Sequence, residues 1–147
     1  MSFPFECSAD VSPQLVAKIG ERLKLVRKDL TFDPVWGLFS SIYVGMTTIV
    51  SDAVPTAGTN GKYAVYNPLW CKELTDDMLK FVVVHETMHV VLKHVVPARY
   101  ENKDHGDWNA AGDYVINYWE IMSGYFKRAT IEWVKETGLF DEQPSRS

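Results

Sequence analysis

Apolar positions along the chain change their spacing from one stretch to the next, and the changes mark the elements. From Ser12 to Asp29, Leu15, Ile19, Leu23 and Val26 recur at helical intervals. Ser12 is placed to cap the helix and Pro13 sits at its first position. Lys18, Glu21, Arg22 and Lys24 fall on the other face, which reads as solvated. Asp33-Pro34 breaks the chain before the aromatic stretch Val35 to Phe39. Ile42-Tyr43-Val44 and Met46 to Val50, separated by Gly45, are rich in β-branched residues and predict a strand. Ser51 to Gly61 carries turn formers and ends on Asn60-Gly61. Lys62 to Tyr66 predicts a second strand closed by Asn67-Pro68, so a hairpin or small antiparallel sheet is the economical arrangement.

A second helix is predicted with Thr75 as its cap and Asp76 and Asp77 in its first turn, where the helix dipole favours them. From Met78 to Val96 apolar residues occupy almost every face, the pattern of a buried central helix, and Pro97 ends it. Arg99 to Gly106 reads as a loop. A third helix is expected from about Asp107 to Ser123, stopped by Gly124, and a last one from Lys127 to Thr137 before Gly138. The tail 143–147 is expected to fray. Without an internal repeat or low-complexity linker, 1–147 reads as one domain. The expected class is α+β, with a central helix packed with other helices on a small, mostly antiparallel sheet.

Composition narrows the function classes. Apolar residues make up 46% of the 147 positions and charged residues 23%, the balance of a folded protein. The net charge of −4 lacks the basic surface that a nucleic-acid groove needs, so no nucleic-acid partner is expected. The N-terminal residues carry no secretory pattern, and the longest apolar run, Phe81 to Val84, is too short to span a bilayer. Cys7 and Cys71 read as reduced thiols. A cytoplasmic protein without a membrane partner is the expectation.

The chemistry concentrates in His85-Glu86-Thr87-Met88-His89. Residues i and i+4 share one helix face, so both imidazoles can meet one tetrahedral metal ion, for which zinc is the best match. Glu86 is displaced around the helix, where it can reach a zinc-bound water without being a ligand. Zinc brings that water's pKa to roughly 7, and the carboxylate takes its proton as it attacks a carbonyl. The bland alternative is a pair of core histidines with Glu86 at a surface. The five-residue pattern alone does not exclude it, but three such polar groups in the most apolar helix would be costly without a purpose.

An open site needs a third protein ligand. His94 lies nine residues past His85, about half a revolution around the helix, and reads as a structural residue. His105 could serve from a loop. Asp113 is the better choice. It lies in Trp108-Asn109-Ala110-Ala111-Gly112-Asp113-Tyr114-Val115-Ile116-Asn117, whose small residues allow a close helix approach. Asn117, four residues on, could accept the free N–H of one histidine through its amide carbonyl. The alternative is an ordinary exposed aspartate.

Together these blocks resemble a metallopeptidase-domain family of bacterial and phage proteins, often found beside MoxR-type ATPases and joined to a von Willebrand factor A-like domain. The resemblance runs from about Asp33 to Glu142. It is carried by Thr56-Ala57-Gly58-Thr59-Asn60-Gly61, Tyr66-Asn67-Pro68, the His85 to His89 motif with His94, and Trp108 to Asn117, with a weaker echo in Gly138-Leu139-Phe140-Asp141. It implies a zincin-like core and His85, His89 and Asp113 as zinc ligands. Asn60 stands where the family often has aspartate, a change that suits the same turn. The family's usual C-terminal partner domain is not found in this sequence, which points to action alone or to docking of a separate protein partner.

Two functions follow from the sequence. One is a zinc metallopeptidase acting on a peptide or protein substrate. In it Lys62 to Tyr66 would be an edge strand that pairs with the substrate, and Tyr114, Tyr118 or Arg99 would donate to the oxyanion. The other is a zinc-binding interaction module that cleaves nothing, against which Glu86 speaks.

Overall fold

A computed structural model describes the backbone of residues 7–95 and 105–137, with side chains for 7–92, 113 and 115–137. The elements in chain order are α1 (Pro13–Thr31), a 3-10 turn (Trp36–Phe39), α2 (Ser40–Gly45), β1 (Thr47–Val50), β2 (Ala57–Thr59), β3 (Tyr63–Tyr66), α3 (Pro68–Cys71), α4 (Asp76–Val95), α5 (His105–Met122) and α6 (Arg128–Thr137). The chain is α+β, as expected. It divides into two compact units, Met1–Thr87 and Met88–Ser147, and the division falls within α4.

In the first unit, α1 begins as its sequence dictates. Ser12 Oγ accepts from the Leu15 N–H at 3.1 Å, and Ile19, Leu23, Val26 and Leu30 form its buried stripe. The 3-10 turn is set by Asp33, whose carboxylate accepts from the N–H groups of Val35 and Trp36 at 2.8 and 2.9 Å. One expectation fails here. Ile42-Tyr43-Val44 is not strand but lies in α2, and the strand starts only at Thr47. Trp36 and Tyr43 are buried seven residues apart and Met46 three later, while Val44 is exposed. Burial at helical spacing overrode the β-branched propensity of this stretch.

The sheet is mixed rather than mostly antiparallel. Its order is β1-β3-β2, with β1 parallel to β3 and β2 antiparallel to it. The β2–β3 hairpin turns at Asn60-Gly61, as expected. Asn60 Oδ1 accepts from the N–H groups of Lys62 and Tyr63 at 2.9 Å each, and Gly61 takes φ +93°. β3 enters between the other two strands because the connection 51–56 carries the chain past it. Two strand spacings are only about 10 Å, well within the reach of that connection. Asn67 fastens it: its amide donates to the Val54 carbonyl at 2.8 Å, and its N–H to that of Thr56 at 2.8 Å. The same side chain caps α3 by accepting from the Leu69 N–H. Lys62 to Tyr66 is therefore the central strand, not an edge, and cannot take up a substrate backbone.

Arg22 joins α1 to the start of α4. Its guanidinium donates to the carbonyls of Leu74 (2.8 Å) and Cys71 (3.2 Å) and to Asp76 Oδ1 (2.9 and 3.2 Å). Thr75 caps α4 through the Met78 N–H at 3.2 Å. Along α4, Leu79, Phe81, Val82, Val83, Val84, Met88 and Val90 are buried, so the helix is apolar around its circumference as its sequence requires.

In the second unit, α5 ends as the sequence indicates. Ser123 Oγ donates to the Glu120 carbonyl at 2.6 Å, and Gly124 takes φ +74°. Beyond α4, Ile116, Phe126, Thr130 and Val134 are its described buried residues besides the polar ones of α5. Among the described residues no helix is long and apolar enough to cross a membrane.

Candidate metal centre

α4 runs unbroken through the motif, so His85 and His89 stand one turn apart on a single rod. Between them, Thr87 is buried and satisfied within the helix, donating to the Val83 carbonyl at 2.8 Å, and Met88 is buried. The two histidines are half-buried, which leaves their ring nitrogens reachable. On α5, Asp113 faces His89: Nε2 and Oδ1 are 2.7 Å apart. One ligand atom from each of His85, His89 and Asp113 lies within 4.8 Å of the others.

These three residues fit a metal ion. Tetrahedral zinc with bonds of about 2.0–2.2 Å holds its ligand atoms about 3.3–3.6 Å apart. The 2.7 Å pair is somewhat tighter than that and the 4.8 Å limit somewhat looser, so the set brackets the spacing a tetrahedral ion asks for. Two neutral imidazoles and a carboxylate are a donor set suited to zinc. Among the described residues the cluster offers three protein donors, the number that leaves a position open for water or substrate.

Glu86, next in sequence to His85, is 8% exposed. It acts on Tyr66, at the end of β3 and buried. Burial first, and then the Glu86 carboxylate, holds the Tyr66 phenol neutral well above the ordinary tyrosine range. The sequence reading did not connect these two residues, because nothing in spacing alone brings the end of a strand beside a helix twenty positions later.

The remaining site residues divide. Asn117 is fully buried one turn beyond Asp113. Tyr118 is 47% exposed, on the solvent side of α5. The backbone places His94 in α4 and Tyr114 in α5, and His105, expected in a loop, opens α5 instead; the side chains of these three, and Arg99 altogether, lie outside what the structure describes. Glu120, fully buried, was not singled out by sequence, although its position seven residues after Asp113 puts it on the same helix face.

No curated protein and no solved structure matches the chain. Residues 35–144, most of its length and all of the centre just described, match the sequence profile of one family. The chain belongs to the family described as "Putative metallopeptidase domain".

Proposed function

We propose that this chain is a zinc-dependent peptidase with a zincin-like site, in which His85, His89 and Asp113 hold the metal and Glu86 is the catalytic base. The convergence of these three donors, with a buried glutamate adjoining the first of them, carries the reading. When bound, the ion would polarise a peptide carbonyl and acidify a water. Glu86 lies about 100° around the helix from His85, so it is beside the donor set without belonging to it. There it takes the proton from the attacking water and passes it to the departing amine. Its burial keeps bulk water from competing for that proton. Asn117, buried on the same helix face as Asp113, would hold one imidazole by accepting its free N–H. Substrate pairing falls to one of the sheet's two edges, β1 or β2, since β3 is enclosed.

The test combines elemental analysis with a peptide-library cleavage assay on wild type and Glu86→Gln. Wild type should hold about one zinc and cleave, while the variant keeps its zinc and loses about 10²–10⁴ in rate. Zinc without any cleavage by wild type would replace the peptidase with a zinc-binding interaction module. No zinc after reconstitution would remove both.

A further inference from the structure

The two outer edges of the sheet differ in what their backbone offers. Between β2 and β3, the Asn60 N–H donates to the Tyr63 carbonyl at 3.2 Å and the Asn67 N–H to that of Thr56 at 2.8 Å. Bonded and non-bonded pairs alternate along an antiparallel ladder, so Gly58 is the residue of β2 whose backbone faces β3. The N–H and C=O groups of Ala57 and Thr59 therefore point outward. Among the described residues none of these four groups has a hydrogen-bond partner.

On the other side, the N–H groups of Thr47 and Ser51 donate to the Lys62 and Tyr66 carbonyls at 3.0 Å each. The outward residues of β1 are thus Thr48 and Val50. Here the edge is occupied: the Cys7 thiol donates to the Val50 carbonyl at 3.3 Å. An added strand would run about 4.8 Å from β1, through the place where that sulfur stands.

The sulfur is held by its own stretch of chain. Ser8 donates through its N–H, at 3.0 Å, and through its hydroxyl to the carboxylate of Asp52, just past the end of β1. The Asp10 N–H returns to Ser8 Oγ at 3.3 Å, and the Val11 N–H to the Ser8 carbonyl at 3.2 Å. Val11 is buried, and Ser12 beside it caps α1. Residues 7–12 therefore tie the end of β1 to the start of α1.

We propose that residues 7–10 form a strap that closes the outer edge of β1, so that an extended peptide pairs with the sheet only along β2. The peptide is the substrate of the peptidase reading above, on which this rests. Antiparallel pairing would satisfy the outward groups of Ala57 and Thr59 with three peptide residues. Gly58, between them, has nothing within 4 Å of where a Cβ would stand, which leaves room for the peptide side chain beside it.

Amide hydrogen exchange, followed by NMR on the full chain with a capped Thr-Val-Thr-Val-Thr peptide as probe, tests this without any activity assay. At about ten times its dissociation constant the peptide should slow exchange at Ala57 and Thr59 by about tenfold and leave Thr48 and Val50 unchanged. In the double variant Cys7→Ala, Asp52→Ala, which removes the thiol bond and both Ser8 bonds, Thr48 and Val50 should slow as well. Where that variant does not fold, Asp52→Ala alone decides. Protection of Thr48 and Val50 in wild type would overturn the proposal, since the strap would not be closing β1. A released variant that still pairs only along β2 would overturn it too, and so would a wild type that protects neither edge. Zinc content and library cleavage of wild type separate this from the peptidase reading. Pairing along β2 without zinc or cleavage removes the peptidase and leaves the strap; cleavage with protection along β1 removes the strap alone.

Discussion

Replacing Arg22 with methionine should loosen the start of the metal helix while leaving its stem packed against the same neighbours. The guanidinium donates to two backbone carbonyls, Leu74 at 2.8 Å and Cys71 at 3.2 Å, in a partly buried setting. Charged donors to such acceptors contribute about 1.5–3 kcal/mol each, and partial access of water to the abandoned carbonyls reduces this to about 2–4 kcal/mol in total. The ion pair with Asp76 adds little, because that carboxylate is 81% exposed and an exposed pair is worth about 0–1 kcal/mol. At about 2–4 °C per kcal/mol for a chain of this size, Arg22→Met should melt about 5–15 °C below wild type. Asp76→Asn should melt within about 3 °C of it by the same scaling. Calorimetry or circular dichroism on the metal-free chain measures both. Equal, small losses in the two variants would show that solvent replaces the guanidinium at the carbonyls, and the anchoring role would fall. Zinc uptake by Arg22→Met below its transition should persist, since the substitution is remote from the donors.

Saturating zinc, at about a hundred times its dissociation constant, should stabilise wild type by about 2.7 kcal/mol, which is about 5–11 °C in a thermal melt. His89→Ala and Asp113→Ala should show no such rise; a full rise in either would remove that residue from the ligand set. Gly37→Ala would place a Cβ 2.6 Å from the Thr31 carbonyl oxygen, a backbone atom, and should cost about 1–3 kcal/mol in urea denaturation. Gly58→Ala, with nothing within 4 Å, serves as its neutral control. Burial pushes the Cys71 thiol up to about 12, the Arg22 guanidinium partly offsetting it. The unfolded thiol titrates near ~8.5, so between the two values the folded chain keeps a proton that the unfolded chain has released. Stability from this group is therefore whole below about pH 8.5 and declines as pH rises toward 12. Cys71→Ala should flatten that alkaline decline, and an unchanged slope would assign it to other groups.

Particular residues show what was legible in the order of amino acids. The caps Ser12 and Thr75, the Asn60-Gly61 turn and the Gly124 stop all act through neighbours a few positions away, and each does what its local chemistry prescribes. The motif His85 to His89 is legible for the same reason: helical geometry alone sets the two imidazoles together. Asp113 needed more. Its helix was expected, but its approach to His89 at 2.7 Å is a fact of packing that residue type and spacing only suggested.

Sequence by itself therefore determined the long helices, their described caps and the His85 to His89 motif, because these depend on contacts within one or two turns. Tertiary structure decided three things that depend on partners far along the chain. β3 became the central strand, so an edge expected to receive substrate is closed. Residues 42–44 became helix because Trp36, Tyr43 and Met46 were buried at helical spacing. Glu86 came to lie near Tyr66, and Glu120 was sealed from water. Local propensity is worth tenths of a kcal/mol per residue, whereas burying a large side chain or pairing a carboxylate is worth several times that, so packing had the final word wherever the two disagreed.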